Sequence, residues 1–152
     1  MRRLVVLLGL GLVGCDTVDT GPVVAGLYRA QSTSGDTETT IDLQIPLTRS
    51  GEFRLGSRSV AQTRVGDSTT TVAMTGSGTV RNQSVSVDAT PSGPVGGDIR
   101  PGPTAYRGTT SLDGQELSLS DGRRTRRFVR TPWFVIDISR PDSARSRRLA
   151  RP

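Results

Sequence analysis

The stretch Thr39–Thr48, TTIDLQIPLT, alternates without a break: Ile41, Leu43, Ile45 and Leu47 share one parity, Thr40, Asp42, Gln44 and Pro46 the other. A period of two is the signature of a strand with one buried face. The pattern predicts four aliphatic side chains in the core and Asp42 turned to water. Pro46 has no N–H to give to a ladder, so it belongs near a strand end or at an edge.

The same reading extends along the chain. In SGEFRLGSRSVAQT, from Ser50, Phe53 and Leu55 oppose Arg54 and Arg58; in STTTVAMTGSGTV, from Ser68, Val72 and Met74 share a face. Arg81–Gln83 reads as a turn into SVSVD, where Val85 and Val87 alternate with serines. Asp113-Gly114 lies between TAYRGTTS and QELSLSD, and Asp-Gly between two alternating runs is a strong hairpin signal. RTRRFVRT and PWFVIDI complete the series. GTVRNQSVSVD, from Gly78, is echoed by GTTSLDGQELSLSD, from Gly108, as two copies of one hairpin would be. No segment carries a helical period. Short strands joined by tight turns predict an all-β fold, an antiparallel up-and-down meander barrel of about eight strands. A β-sandwich is the alternative.

The interruption is Asp88–Ala105, DATPSGPVGGDIRPGPTA, with four prolines and four glycines. A stretch of that length is either a lid over a barrel mouth or a mobile, solvated loop. The composition favours the second.

All twenty basic residues are arginine, and the chain has no histidine. The net charge of +6 is unevenly placed. Arg2 and Arg3 open the chain, and Arg140, Arg145, Arg147, Arg148 and Arg151 lie after Ser139 against Asp142 alone. Between Cys15 and Ile138, thirteen arginines face thirteen acidic residues, so the body is neutral. A nucleic-acid-binding domain carries its basic patch on the folded part, so nucleic acid is not an expected partner.

The same inventory narrows the chemistry. Without histidine or lysine, Ser-His-Asp, Cys-His and Schiff-base arrangements are excluded, as is the commonest zinc ligand. Gly76-Ser77-Gly78 and Gly93–Gly102 lack the strand-to-helix setting of a phosphate loop and read as turns and bulges. Glu38, Glu52 and Glu116 fall at or beside predicted turns, where carboxylates are solvated or paired with arginine. No catalytic residue, metal ligand or cofactor is expected, and the protein is not expected to be an enzyme.

The opening MRRLVVLLGLGLVGC combines a positive start, an apolar run from Leu4 to Val13 and the chain's single cysteine. The run suits the hydrophobic region of a signal peptide and falls short of the roughly twenty residues a spanning helix needs. Leu12-Val13-Gly14-Cys15 resembles the lipobox of bacterial lipoproteins. The resemblance implies a diacylglycerol on Cys15, cleavage after Gly14 and fatty acyl chains such as palmitate as the membrane anchor. The expected organisation is a signal peptide over 1–14, a tether over 15–22, a barrel over 23–138 and a disordered arginine-rich tail over 139–152. The expected location is the bacterial cell envelope: the periplasmic side of the inner or outer membrane, or the cell surface.

Gly26-Leu27-Tyr28 and Gly51–Leu55 (GEFRL) are similar to motifs of the lipocalin-like small lipoproteins. That resemblance implies a barrel, with Arg130 packed across the first-strand aromatic Tyr28. Tyr28 replaces the family's usual tryptophan, and one cysteine leaves none of its disulfides. Inward rows rich in small residues suggest a cavity for a small apolar or amphipathic ligand, lined by Tyr28, Phe53, Tyr106, Phe128 and Trp133. The alternative is a filled barrel that serves as a non-catalytic scaffold or interaction lipoprotein for an envelope protein.

Overall fold

A computed structural model describes residues 21–48 and 51–132. The signal peptide, most of the tether, Trp133, the rest of PWFVIDI after Pro132 and the arginine-rich tail lie outside the described residues. Among those described, nine strands form: β1 (Gly26–Ser34), β2 (Thr37–Ile45), β3 (Glu52–Arg54), β4 (Val60–Val65), β5 (Ser68–Arg81), β6 (Ser84–Pro91), β7 (Thr104–Thr110), β8 (Glu116–Ser120) and β9 (Thr125–Thr131). All pairings are antiparallel and run β3-β5-β4-β2-β1-β9-β8-β7-β6, with β5 also bonded to β6. That last pairing returns the sheet to itself. The result is a closed up-and-down barrel, not a sandwich.

Nine strands occupy eight positions because β3 and β4 follow one another along one edge of β5. Thr79 to Ser77 pair with Glu52 to Arg54, and Ala73 to Ser68 pair with Val60 to Val65. The sequence reads the SGEFRLGSRSVAQT stretch as one unit. A turn at Gly56–Ser59 divides it, with Ser59 N–H donating to the Gly56 carbonyl at 3.0 Å and Gly56 N–H to the Gln44 carbonyl at 2.9 Å.

The alternation places the core. Tyr28, Ile41, Leu43, Ile45, Val85, Val87, Leu117, Leu119 and Phe128 are essentially inaccessible and pack into one cluster. Two calls on the deciding stretch need correcting. Leu47 is 74% exposed, because β2 ends at Ile45 and Pro46 turns the chain off the barrel. Asp42 is only 6% exposed, although its parity does point outward. Its cross-strand partner Arg29 lies over it, donating Nε and Nη2 to the two carboxylate oxygens at 2.8 Å each. An outward face on a barrel wall is still covered when a long neighbouring side chain folds across it.

Gly76 and Gly78 lie inside β5, as the strand reading of STTTVAMTGSGTV has it, and make no turn. At Gly78 a side chain would collide with the Phe53 ring and the Ser86 carbonyl, and at Gly108, its counterpart in the echoed hairpin, with the Ser118 carbonyl. Both glycines let neighbouring strands approach where the sheet curves.

Leu43→Ala should lower the stability by about 2–5 kcal/mol in denaturant titration, as cavity formation does in a packed core. Leu43→Asp should abolish the β circular-dichroism spectrum. A Leu43→Asp protein with wild-type spectrum and midpoint would contradict the inward placement of this row.

Candidate functional site

The barrel has two ends of different chemistry. β1, β3, β6 and β8 start at one end, where the chain enters from the tether and leaves after β9. The other end carries the β1–β2, β4–β5 and β8–β9 turns and the long β6–β7 connection. Here the inward rows change from aliphatic to polar: Ser32, Thr39, Thr63, Thr104 and Arg126 follow Ala30, Ile41, Ala61, Tyr106 and Phe128 on their strands. Thr39, Thr63, Thr104 and Arg126 are buried there, each 7% exposed or less.

They are buried because the long connection lies over them. It runs from Ser92 to Pro103, shorter than the sequence suggests, since Asp88 to Pro91 extend β6 and Thr104 starts β7. It is not a solvated excursion. Ile99 is 6% exposed and joins the core, with Val95 packed against it. Thr63 Oγ1 donates to the Gly96 carbonyl at 2.9 Å. Asp98 makes the main polar attachment. Its Oδ2 accepts from Ser32 Oγ at 3.1 Å and forms ion pairs with Arg126 Nη2, at 3.1 Å, and with Arg124. Arg126 donates from Nη2 to the Asp98 carbonyl and from Nη1 to Ser32 Oγ, each at 3.2 Å. Asp98 Oδ1, Arg126 Nε and Arg100 Nε are buried without a protein partner. A hollow of about 210 Å³ between the loop and β1–β2 is bordered by Ser32, Ser34, Thr37, Thr39, Gly97 and Asp98.

This cluster ties the long loop to the barrel wall. Its carboxylate is neutralised by two guanidinium groups, and guanidinium does not exchange protons near neutral pH. Among the described residues no group of three His, Cys, Asp or Glu side chains could hold a metal. The mouth was only partly legible in sequence. In RTRRFVRT, alternation puts Arg126 and Arg130 on the side of Phe128, and a charge on an inward row requires a buried partner. Asp98, the partner, sits in a loop whose path no periodicity reveals.

Of the expected cavity aromatics, Tyr28, Tyr106 and Phe128 meet in the core, with exposures of 0, 3 and 0%. Tyr106 and Phe128 pack edge to face with centroids 6.4 Å apart. Phe53 is buried in the same core, 6% exposed, toward the chain-entry end, where it also borders two surface hollows. Trp133 is outside the described residues. Tyr28 donates its hydroxyl to the Gly114 carbonyl at 2.7 Å, and Arg130 is registered opposite it across β1–β9.

Burial pushes the hydroxyl pKa of both tyrosines up from the ordinary value. These are the chain's two tyrosines. A folded pKa raised above the unfolded one gives stability that is intact below the unfolded value, about 10, and is lost as pH rises through the folded one. In alkaline titration, phenolate absorbance should therefore appear above pH ~10 and together with loss of the β spectrum. Phenolate forming at the ordinary pKa in a folded barrel would contradict this burial.

Asp98→Ala leaves the Arg126 charge buried against fewer partners and should destabilise the protein by about 3 kcal/mol. Asp98→Ala with Arg126→Met should recover part of that loss in a double-mutant cycle. Additive losses would show that the two side chains are not coupled.

No known protein family matches the chain, and neither a curated protein nor a solved structure does.

Proposed function

We propose that the chain is a lipid-anchored, non-catalytic barrel of the bacterial cell envelope, attached through Cys15 and acting through the surfaces at its ends. The lipobox supports the anchor. What supports a filled barrel over a ligand carrier is the fate of its aromatics: Tyr28, Tyr106 and Phe128 are committed to the core. Such a barrel serves as a scaffold, and its loop-covered mouth, with its arginines and Asp98, is the natural face for an envelope protein. The neutral body gives nucleic acid nothing to grip.

A second reading, an apolar or amphipathic ligand beneath the loop, draws on one observation. The loop is held across the mouth by side-chain contacts at Asp98 and Thr63, which can release without breaking a ladder. Closing segments of this kind set exchange rates more than affinity.

The test begins with labelled fatty acid. The wild-type protein should carry the label and sediment with membranes, and Cys15→Ser should lose the label and be released or left unprocessed. Soluble, unlabelled protein with an intact Cys15 would overturn the anchor. Native mass spectrometry of the detergent-extracted protein separates the two readings. The acylated chain alone is expected for the filled barrel; a co-purified amphiphile would favour the ligand.

A further inference from the structure

The end of the barrel at which the chain enters and leaves carries features that the core and the mouth do not use. β1 and β9 are antiparallel neighbours, with Leu27 opposite Thr131, so the described chain enters β1 and leaves β9 side by side. The same end bears three exposed aliphatic side chains: Val23 at 60%, Leu47 at 74% and Leu112 at 82%. They form one rim. Val23 and Leu47 border a common hollow of about 310 Å³ with Arg81, and the Gly114 backbone, two residues from Leu112, abuts the Val23 carbonyl. Among the described residues, Val65 is the large exposed apolar residue at the opposite end, and Val129 lies on the wall between.

This end carries acidic side chains as well as basic ones, Glu52, Asp113 and Glu116 among them. Glu116 is engaged by Arg127. Asp113 accepts from Ser111 Oγ at 2.6 Å and from Gln115 N–H at 3.0 Å, which holds its carboxyl below the usual range. Arg81 and Arg130 stand at the ends of β5 and β9, and the chain beyond β9 adds Arg140, Arg145, Arg147, Arg148 and Arg151 against Asp137 and Asp142.

We propose that this rim is a membrane-docking face: Val23, Leu47 and Leu112 insert at the surface of an anionic phospholipid bilayer while Arg81 and Arg130 meet its headgroups. The proposal rests on the anchored reading for its geometry. The eight residues from Cys15 to Val23 reach about 28 Å at full extension, so the anchor keeps this end, and not the mouth, beside the lipid. Aliphatic side chains inserted beside basic residues are the usual means by which a surface binds an anionic interface. Docking in this pose turns the loop-covered mouth away from the membrane, toward a partner.

The acylated full-length protein is reconstituted in vesicles of phosphatidylcholine alone, or of equal parts phosphatidylcholine and phosphatidylglycerol. With Cys15 acylated, a cysteine introduced as Leu47→Cys, Leu112→Cys or Val65→Cys is the single free thiol for an environment-sensitive fluorophore. Acyl-chain nitroxide lipids should quench the Leu47 and Leu112 probes several-fold more than the Val65 probe, most strongly with phosphatidylglycerol and less in high salt. Equal quenching of all three, or stronger quenching at Val65, would overturn the docking face and leave the anchor standing. Intact mass reads acylation separately. If Cys15 is unmodified the anchor reading fails, and flotation of the unlipidated chain with phosphatidylglycerol vesicles tests docking alone. Loss of flotation in Leu47→Asp/Leu112→Asp then supports the face, and flotation equal to wild type overturns it.

Discussion

Three residue pairs hold the barrel shut: Leu27 with Thr131, Tyr28 with Arg130 and Arg29 with Val129. Elsewhere the strands are joined by sequential hairpins, or by the β2–β4 and β3–β5 pairings that skip one strand. This seam instead joins the first strand to the last, and it gains nothing from proximity in sequence. Its ladder is confined to the chain-entry end. Past Arg29 the β1–β9 ladder stops, and side chains take over: Arg126 donates to Ser32 Oγ, and both contact Asp98 from the β6–β7 loop. The loop therefore completes the wall as well as covering the mouth. Arg126 needs Asp98 because an inward charge requires a partner. Asp98 can reach it because Ile99, the next residue, is buried in the core.

Closure also gives the molecule its polarity. An even number of strand positions in an up-and-down barrel returns the last strand to the end where the first began. The described chain therefore enters β1 and leaves β9 at the same end of the barrel. The aliphatic side chains that pack in the middle of the barrel give way to Ser32, Thr39, Thr63 and Thr104 toward the mouth and to exposed Val23, Leu47 and Leu112 at the other end.

Much of this was legible in the alternation. Ile41, Leu43, Ile45, Val85, Val87, Leu117 and Leu119 all face inward as their parity requires, and Asp113-Gly114 makes its turn. Parity reports the face of a strand but not where the strand stops, which is why Leu47 fails. Nor does it report what a neighbour lays over the outer face, which is why Asp42 is buried under Arg29. The candidate site was harder. Asp98, Arg126 and Ser32 are far apart in sequence and meet only through closure and the path of the loop. The sequence singled out large aromatics as binding groups, whereas Tyr28, Tyr106 and Phe128 fill the core.

The seam is the feature on which the barrel, its plugged mouth and its shared exit end all depend. Residue-resolved amide hydrogen exchange measures it directly. A closed barrel predicts that the β1 and β9 amides bonded across Leu27–Arg29 and Val129–Thr131 exchange as slowly as those of the β1–β2 and β8–β9 ladders, through global opening. Rapid exchange of those seam amides, with the remaining ladders still protected, would mean an open sheet with two free edges, and would contradict the account.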